Sequence, residues 1–393
     1  MPAFDLARAR ADTPGTRTVI HLNNAGAALM PSPVLAAVVG HLERELAIGG
    51  YEAHAEAEAA IEATYAKAAG LIGARPDEVA FIENATRAWD MAFYGLAFAA
   101  GDRILTGAHE YVSNYLAYLQ VARRTGAVIE VVPNDESGQV SVDGLARMID
   151  RRVKLIGLTH VPTNGGVVNP AAEVGRIARA AGIPFLLDAC QSVGQMPIDV
   201  AAIGCDMLST TGRKYLRGPR GTGFLFVRRD FLDRIEPPMV DTHAAAWPAR
   251  GAYVLRPDAR RFENWETSYA LRLGLGAAID YAAGWGLEAI YARVQALADD
   301  FRRGLDAIAG VTVRDLGRER CGIVTFTVDG WTADEVKTAL AGRGINVSTT
   351  TVNGTRVDME QRGLTAMTRA SVHYYNSEDE IARTVAAVEA LRR

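Results

Sequence analysis

The chain has 393 residues, 49% hydrophobic and 22% charged, with 42 basic against 46 acidic side chains and a net charge of −4. That length suits one large α/β unit with an appended domain, and the composition excludes wholesale disorder. The near-even charge leaves no basic footprint for nucleic acid or an anionic membrane, and no apolar run approaches the ~18–20 residues of a membrane span. The first twenty residues lack an apolar core, and Asp5 and Asp12 argue against a transit peptide. Cys190, Cys205 and Cys321 form no close pair and no metal-ligand spacing. No metal site is therefore expected, and reduced thiols in a cytoplasmic protein are.

In chain order, 33–47 and 52–73 read as amphipathic helices separated by Gly49-Gly50. Short apolar runs follow at 79–82, 104–106, 128–132, 154–159, 183–188, 207–209 and 224–227. Helical stretches such as 88–99, 115–125 and 171–181 lie between most of them. This alternation predicts a mainly parallel seven-stranded sheet flanked by helices, in a domain spanning 17–257. That domain ends in the Pro- and Arg-containing stretch 237–257. Helices at 269–285 and 288–309 come next. Strands at 311–313, 321–328, 345–350 and 369–374, a helix near 333–342 and a terminal helix from Glu378 then predict a smaller α+β domain, formed by 1–16 and 258–393.

The run Phe185-Leu186-Leu187-Asp188-Ala189-Cys190-Gln191 is an apolar strand ending in a carboxylate, which an α/β sheet delivers to its ligand-binding edge. Lys214 follows a further strand, between Thr210-Thr211-Gly212-Arg213 and the Gly-rich run to Gly223. Alone, the first is an ordinary strand-end cap and the second a surface lysine. Together they are the two groups that pyridoxal phosphate needs, a Schiff-base lysine and an acid that keeps the pyridine nitrogen protonated. Asn84-Ala85-Thr86, between a strand and a helix, adds backbone N–H groups and a hydroxyl suited to a phosphate.

These segments resemble the fold-type I pyridoxal-phosphate enzymes of the class V aminotransferase and cysteine desulfurase family. So do Leu22-Asn23-Asn24-Ala25-Gly26, His160-Val161-Pro162-Thr163-Asn164-Gly165-Gly166 and Arg369-Ala370-Ser371-Val372-His373. The resemblance implies Lys214 as the Schiff-base lysine, Asp188 as the pyridinium partner and Gln191 at the ring 3-oxygen. It places Ala85, Thr86, Thr211 and Arg213 around the phosphate, Arg213 standing where desulfurases usually carry His. Arg369 is implied as the guanidinium that clamps the substrate α-carboxylate, with Asn24 or Ala25, Thr163 and Asn164 completing that end. It also implies a homodimer with the active site at the subunit interface, Thr267 reaching the neighbouring subunit's phosphate.

Two departures from the desulfurase pattern bear on the reaction. Tyr111, in Ala108-His109-Glu110-Tyr111-Val112, stands where desulfurases place a ring-stacking His; His109 reads as structural. Residues 344–368 contain no cysteine, with Val347-Ser348-Thr349-Thr350 in the region of the nucleophilic loop. Cys190 and Cys321 read as small buried hydrophobes. The expectation is a C–S β-lyase that cleaves a cysteine S-conjugate or its sulfoxide to pyruvate, ammonia and a thiol or sulfenate. An epimerase, with Tyr111 as a candidate second acid, and an aminotransferase or decarboxylation-coupled deaminase are the alternatives. Tyr51 and His54 are candidates for lining a pocket, while His243, His373 and the Gly274-Leu275-Gly276 run read as structural.

Overall fold

The computed structural model describes residues 4–391; the ends assigned above to the small domain, 1–3 and 392–393, lie outside them. After a two-residue strand β1 (Ile20–His21) come the strands of the central sheet. They are β2 (Val79–Ile82), β3 (Arg103–Gly107), β4 (Val128–Val132), β5 (Val153–Thr159), β6 (Phe185–Asp188), β7 (Met207–Thr211) and β8 (Gly223–Val227). A hairpin, β9 (Ala245–Ala249) and β10 (Ala252–Leu255), and a C-terminal set complete the strands. That set comprises β11 (Val311–Val313), β12 (Ile323–Val328), β13 (Ile345–Asn346), β14 (Ser348–Thr351) and β15 (Ala366–Ser371).

The seven central strands lie in the order β2-β8-β7-β6-β5-β3-β4. Only β8 opposes the others, pairing antiparallel with both β2 and β7. The sheet is therefore mainly parallel with helices on both faces, the arrangement read from the alternating pattern. Within a strand, neighbouring side chains enter different cores, as the period of two requires. Leu186, Met207 and Leu225 join Trp89, Phe93 and Tyr118 on one face. Phe185, Leu187, Leu208, Phe224 and Phe226 join Val174 and Ala178 on the other. The helices Ala85–Phe93 and Val112–Thr125 cover the first face, and Ala171–Ala181 covers the second. The last of these stops at Gly182, whose φ of 66° is a left-handed cap that glycine adopts without side-chain strain.

A parallel strand pair needs a crossover that carries the chain to the far end of the sheet. The β7–β8 connection instead returns antiparallel, so residues 212–222, with Lys214 among them, stay at the edge where β7 ends. The C-terminal ends of β3, β5, β6 and β7 all open on that edge.

The second sheet is antiparallel, in the order β11-β12-β15-β14. Arg369 lies on β15, opposite Thr325 of β12 and Ser348 of β14. Residues 20–23, which fall within the larger unit expected from the sequence, are tied to this second unit. Ile20 and His21 pair in parallel with Ile345 and Asn346, and Asn23 bridges Ser371.

The helix expected at 88–99 runs from Ala85 to Phe93, because Asn84 caps it by accepting from the Arg87 N–H and so sets its start earlier. The stretch 237–257 holds the β9–β10 hairpin, not a bare linker. Its Trp247, Tyr253 and Val254 are exposed, so no buried face imposed the alternation by which strands are recognised.

His160 follows β5, and burial lowers its pKa to about 4; His373 is likewise buried and well below the usual imidazole range. A histidine kept neutral by the fold but free to charge when unfolded contributes stability above pH 6.5, lost as pH falls toward the folded value. Each pH unit in that window costs about 1.4 kcal/mol per such group. The melting temperature is expected to fall between pH 7 and pH 5, with a shallower slope in His160→Asn. Equal slopes in the two proteins would show that His160 is not a source of the acid sensitivity.

Candidate active site

At the C-terminal edge of the central sheet lies a cavity of about 330 Å³, in the size range of ligand pockets. Its lining includes Asn84, Ala85, Thr86, Tyr111, Asn114, Thr159, Thr163, Asp188, Cys190, Gln191, Thr211, Arg213, Lys214 and Arg220. Strand ends and the starts of two helices, Ala85–Phe93 and Val112–Thr125, supply it, which is where an open α/β sheet accommodates a ligand.

Asp188 ends β6 and is buried. One carboxylate oxygen accepts from the Cys190 N–H at 2.9 Å and the other from Asn114 Nδ2 at 2.9 Å. Burial pushes its pKa up, and the Lys214 charge and these hydrogen bonds pull it back. Lys214 is also buried, its Nζ 3.2 Å from Cys190 Sγ. The loops bearing Asp188 and Lys214 touch at Gly194, where φ is 85° and an added Cβ would lie 2.5 Å from the Leu216 nitrogen. Beyond Lys214 the turn closes through Arg217 N–H to the Lys214 carbonyl at 2.9 Å. Arg217 itself holds a left-handed φ of 61°. Its guanidinium donates to the Leu29 carbonyl and the Tyr374 hydroxyl, which offsets the strain of that conformation.

The cationic groups differ from these in lacking anions. Arg369 is buried, and its Nη1 donates to the Thr163 carbonyl at 3.0 Å and hydroxyl at 2.6 Å. Its Nη2 reaches Asn23 Oδ1 at 3.4 Å, and its Nε has no partner. Among the described residues Arg213, Arg220 and Arg369 make no ion pair. Burial holds the Arg369 pKa below its usual value. A guanidinium removed from water without a counterion is costly, so its binding of a carboxylate relieves a penalty as well as adding bonds.

The cavity fits pyridoxal phosphate on observations independent of resemblance. Lys214 and Asp188 both border it, Gln191 Oε1 is buried without a partner, and Arg213 meets the start of the helix Ala85–Phe93 with its charge unmatched. Ala85, Thr86, Thr211 and Arg213 all line this cavity, at or near the start of that helix or the end of β7. Gln191 Nε2 donates to the Ala25 carbonyl at 3.1 Å, which ties the amide to the N-terminal segment.

Other expected residues stand differently. Asn24 is fully buried: its Nδ2 donates to the Ser371 carbonyl at 2.7 Å and its Oδ1 accepts from the Tyr375 hydroxyl, so it is a structural pin and Asn23 reaches Arg369 instead. Asn164 Nδ2 donates to Asp358 at 2.6 Å and borders no part of the cavity, whereas its neighbour Thr163 does. Thr267 is exposed and lines an adjoining cavity that shares Glu83 and Gly221 with the first. Cys190 is not the core hydrophobe expected; it borders the cavity beside Lys214, while Cys321 is buried as expected and Cys205 is buried too. His54 packs against the Tyr269 ring, centroids 4.1 Å apart, and Tyr51 is exposed; neither lines the cavity. His109 is buried and bonded to the Gly138 carbonyl at 2.7 Å, the structural role expected.

The sequence reading passed over Glu110 as a site residue and missed Asn114 and Thr159. Their signal was the i, i+4 spacing of Glu110, Asn114 and Tyr118, which puts three polar side chains on one face at a helix start.

Comparison with known proteins gives a consistent placement. The aminotransferase class-V family model matches residues 20–384. A probable cysteine desulfurase of Methanothermobacter thermautotrophicus is 30% identical over 378 residues, covering 95% of this chain and 94% of that protein. The apo structure of cysteine desulfurase from Thermococcus onnurineus NA1 superimposes with a TM-score of 0.92 at 28% identity, over 100% of this chain and 98% of that one. The cystine C–S lyase C-DES shares the fold, with a TM-score of 0.87 at 24% identity over 96% of this chain and 99% of its own. With Lys214 and Asp188 facing one cavity at the sheet edge, the chain belongs to the class V aminotransferase family of pyridoxal-phosphate-dependent enzymes.

Proposed function

We propose that this enzyme is a C–S β-lyase acting on a cysteine S-conjugate or its sulfoxide. Two likenesses support this reading: relatives are named as cysteine desulfurases, and a chain of the same fold is named as a cystine C–S lyase. The observation that carries the lyase reading is the segment before Arg369. Residues 344–368 hold no cysteine, and they fold as β13, β14 and the helix Arg356–Gln361, bonded down at the start of that helix. Val112 N–H donates to the Gly354 carbonyl at 3.0 Å and Asp358 N–H to the Ala108 carbonyl at 3.1 Å. A persulfide-forming thiol on a swinging loop has no place in this arrangement. Cys205 and Cys321 are buried away from the cavity, and burial pushes the Cys190 thiol up, so a thiolate is disfavoured.

When bound, pyridoxal phosphate supplies the electron sink that makes the Cα–H bond of an attached amino acid labile. The chain's own groups do the remainder. Arg369, with Thr163 behind it, receives the α-carboxylate and fixes the amino acid's orientation. Lys214 Nζ takes the Cα proton and returns one where it is needed, and Asp188 stabilises positive charge at the ring nitrogen. Tyr111 borders the cavity and would flank the cofactor ring without having to carry a proton. Overall, a cysteine S-conjugate and one water give a thiol, pyruvate and ammonium, with no change of oxidation state and no protein thiol consumed.

The assembly implied by the resemblance is part of the proposal. The helix Ser32–Ile48 exposes Leu35, Val39, Leu42 and Leu46 as one stripe, which suits a surface covered by a second copy. Thr267, exposed beside the adjoining cavity, is then available to a partner's phosphate. Three unpaired cysteines fit a cytoplasmic, reducing compartment, and among the described residues no helix is long and apolar enough to cross a membrane.

Four experiments test the function. Lys214→Ala is expected to abolish turnover, and borohydride reduction of the parent enzyme followed by peptide mapping to place the cofactor adduct on Lys214; an adduct on another lysine would refute the assignment. Arg369→Lys is expected to raise KM for the amino acid by roughly thirtyfold, the ~2 kcal/mol of a lost charge-assisted pair, with kcat changed less. In assays on a panel of cysteine conjugates, pyruvate and free thiol should appear in equal amounts. Replacing Cys190, Cys205 and Cys321 together should leave the rate within about tenfold, or ~1.4 kcal/mol of barrier. Alanine as product with a protein-bound persulfide would sink the lyase reading.

A further inference from the structure

Glu110 is a fully buried carboxylate with no cation beside it. It accepts from the Tyr111 N–H at 2.9 Å, Asn114 Nδ2 at 2.9 Å, the Thr106 hydroxyl at 2.7 Å, the Tyr118 hydroxyl at 3.2 Å and the Thr159 hydroxyl. Five donors on one side chain is a built site, and the chemistry assigned above does not use it. Asn114 joins it to the cavity, since the same Nδ2 that donates to Glu110 donates at 2.9 Å to Asp188.

We propose that Asn114, oriented by Glu110, is a positioning residue that aims the Asp188 carboxylate at the cofactor's ring nitrogen. An amide nitrogen has two hydrogens, and here each goes to a different carboxylate. The opposite amide orientation would set an oxygen 2.9 Å from two carboxylate oxygens, so the two acceptors allow one orientation only. The placement follows from the fold. Asp188 projects to the same sheet face as Leu186, two residues before it, and the helix Val112–Thr125 covers that face. Asn114 stands in the first turn of that helix, and Glu110 lies just before it, where the helix N-terminus favours negative charge. With Cys190 N–H holding the other oxygen, Asp188 is fixed at both ends, and a swing of its carboxylate breaks one bond or the other.

The inference rests on pyridoxal phosphate meeting Asp188 in this cavity and is independent of which substrate bond is broken. Holoenzyme reconstituted with ring-15N pyridoxal phosphate gives the test, because the nitrogen chemical shift reports its protonation directly. The parent protein is expected to show a protonated nitrogen. In Asn114→Ala the signal should move toward the unprotonated position, kcat should fall tenfold or more and KM should stay within threefold. Glu110→Ala should act in the same direction and, combined with Asn114→Ala, add little. Glu110→Gln keeps an oxygen toward Asn114 and turns its amide to the Thr106 and Tyr118 hydroxyls, which can accept; it should retain the parental signal. Should Asn114→Ala fail to fold, Asn114→Asp has the same shape and presents oxygen where hydrogens are required, so the same shift is expected. A parental nitrogen signal in either folded Asn114 variant, or an unprotonated nitrogen in the parent, overturns the proposal. Failure of the lyase reading would instead show in the parent enzyme's products and leave the nitrogen signal unaffected.

Discussion

The active-site edge of this protein is organised around a carboxylate kept from water without an arginine to neutralise it. Asp188 has been moved into the interior at the end of an apolar strand, where an isolated charge is strongly disfavoured. Its compensation is a set of weaker, directed interactions: one backbone N–H, one amide N–H and the Lys214 ammonium across the cavity. An arginine would have satisfied the charge fully and left nothing for a ligand. The incomplete compensation suits a group whose proper partner is a protonated ring nitrogen, and it explains why the neighbouring loops are so closely packed.

The mirror-image situation holds at the other end. Arg369 is buried with neutral oxygens around it and no acid, on a strand of the second sheet. It lies between Thr163, beyond the end of β5, and Asn23, in the N-terminal segment that pairs with the C-terminal strands. Three stretches of chain far apart in sequence converge on one guanidinium. The partly compensated anion and the unpaired cation suit the proposed reading, a protonated heterocycle at one end and a carboxylate at the other. Such sites lower the stability of the empty protein in exchange for affinity that is already oriented.

Between these poles the helix Arg356–Gln361 acts as a clasp. Asp358 accepts from Asn164 and from Arg362 while its own N–H reaches Ala108, so one short helix links the loop after β3, the loop after β5 and the strand that bears Arg369. The residues preceding Arg369 are thereby committed to structure. This is the physical basis for reading the absence of a cysteine there as a difference in chemistry.

Sequence by itself determined the elements with strong periodicity and the groups with strong chemistry. Most of the seven central strands were legible because both their faces are buried and apolar, and Lys214, Asp188, Thr86 and Arg213 because each ends or follows a strand or opens a helix, positions that chain order alone reveals. The exposed β9–β10 hairpin left no such imprint, because none of its faces had to be apolar. Tertiary structure alone decided the contacts between segments remote in the chain. Asn24 and Asn23 are adjacent and chemically identical, and only the pairing of that segment with Ser371 settles that the first is pinned in the core and the second faces Arg369. Cys190 read as core because it follows an apolar strand, yet beyond the end of β6 it stands at the cavity. Asn114 and Asp188 are 74 residues apart, and no local pattern could state that a helix on one face of the sheet would set that amide against that carboxylate. Periodicity encodes which face a residue takes, whereas the partner it meets there depends on how the layers stack.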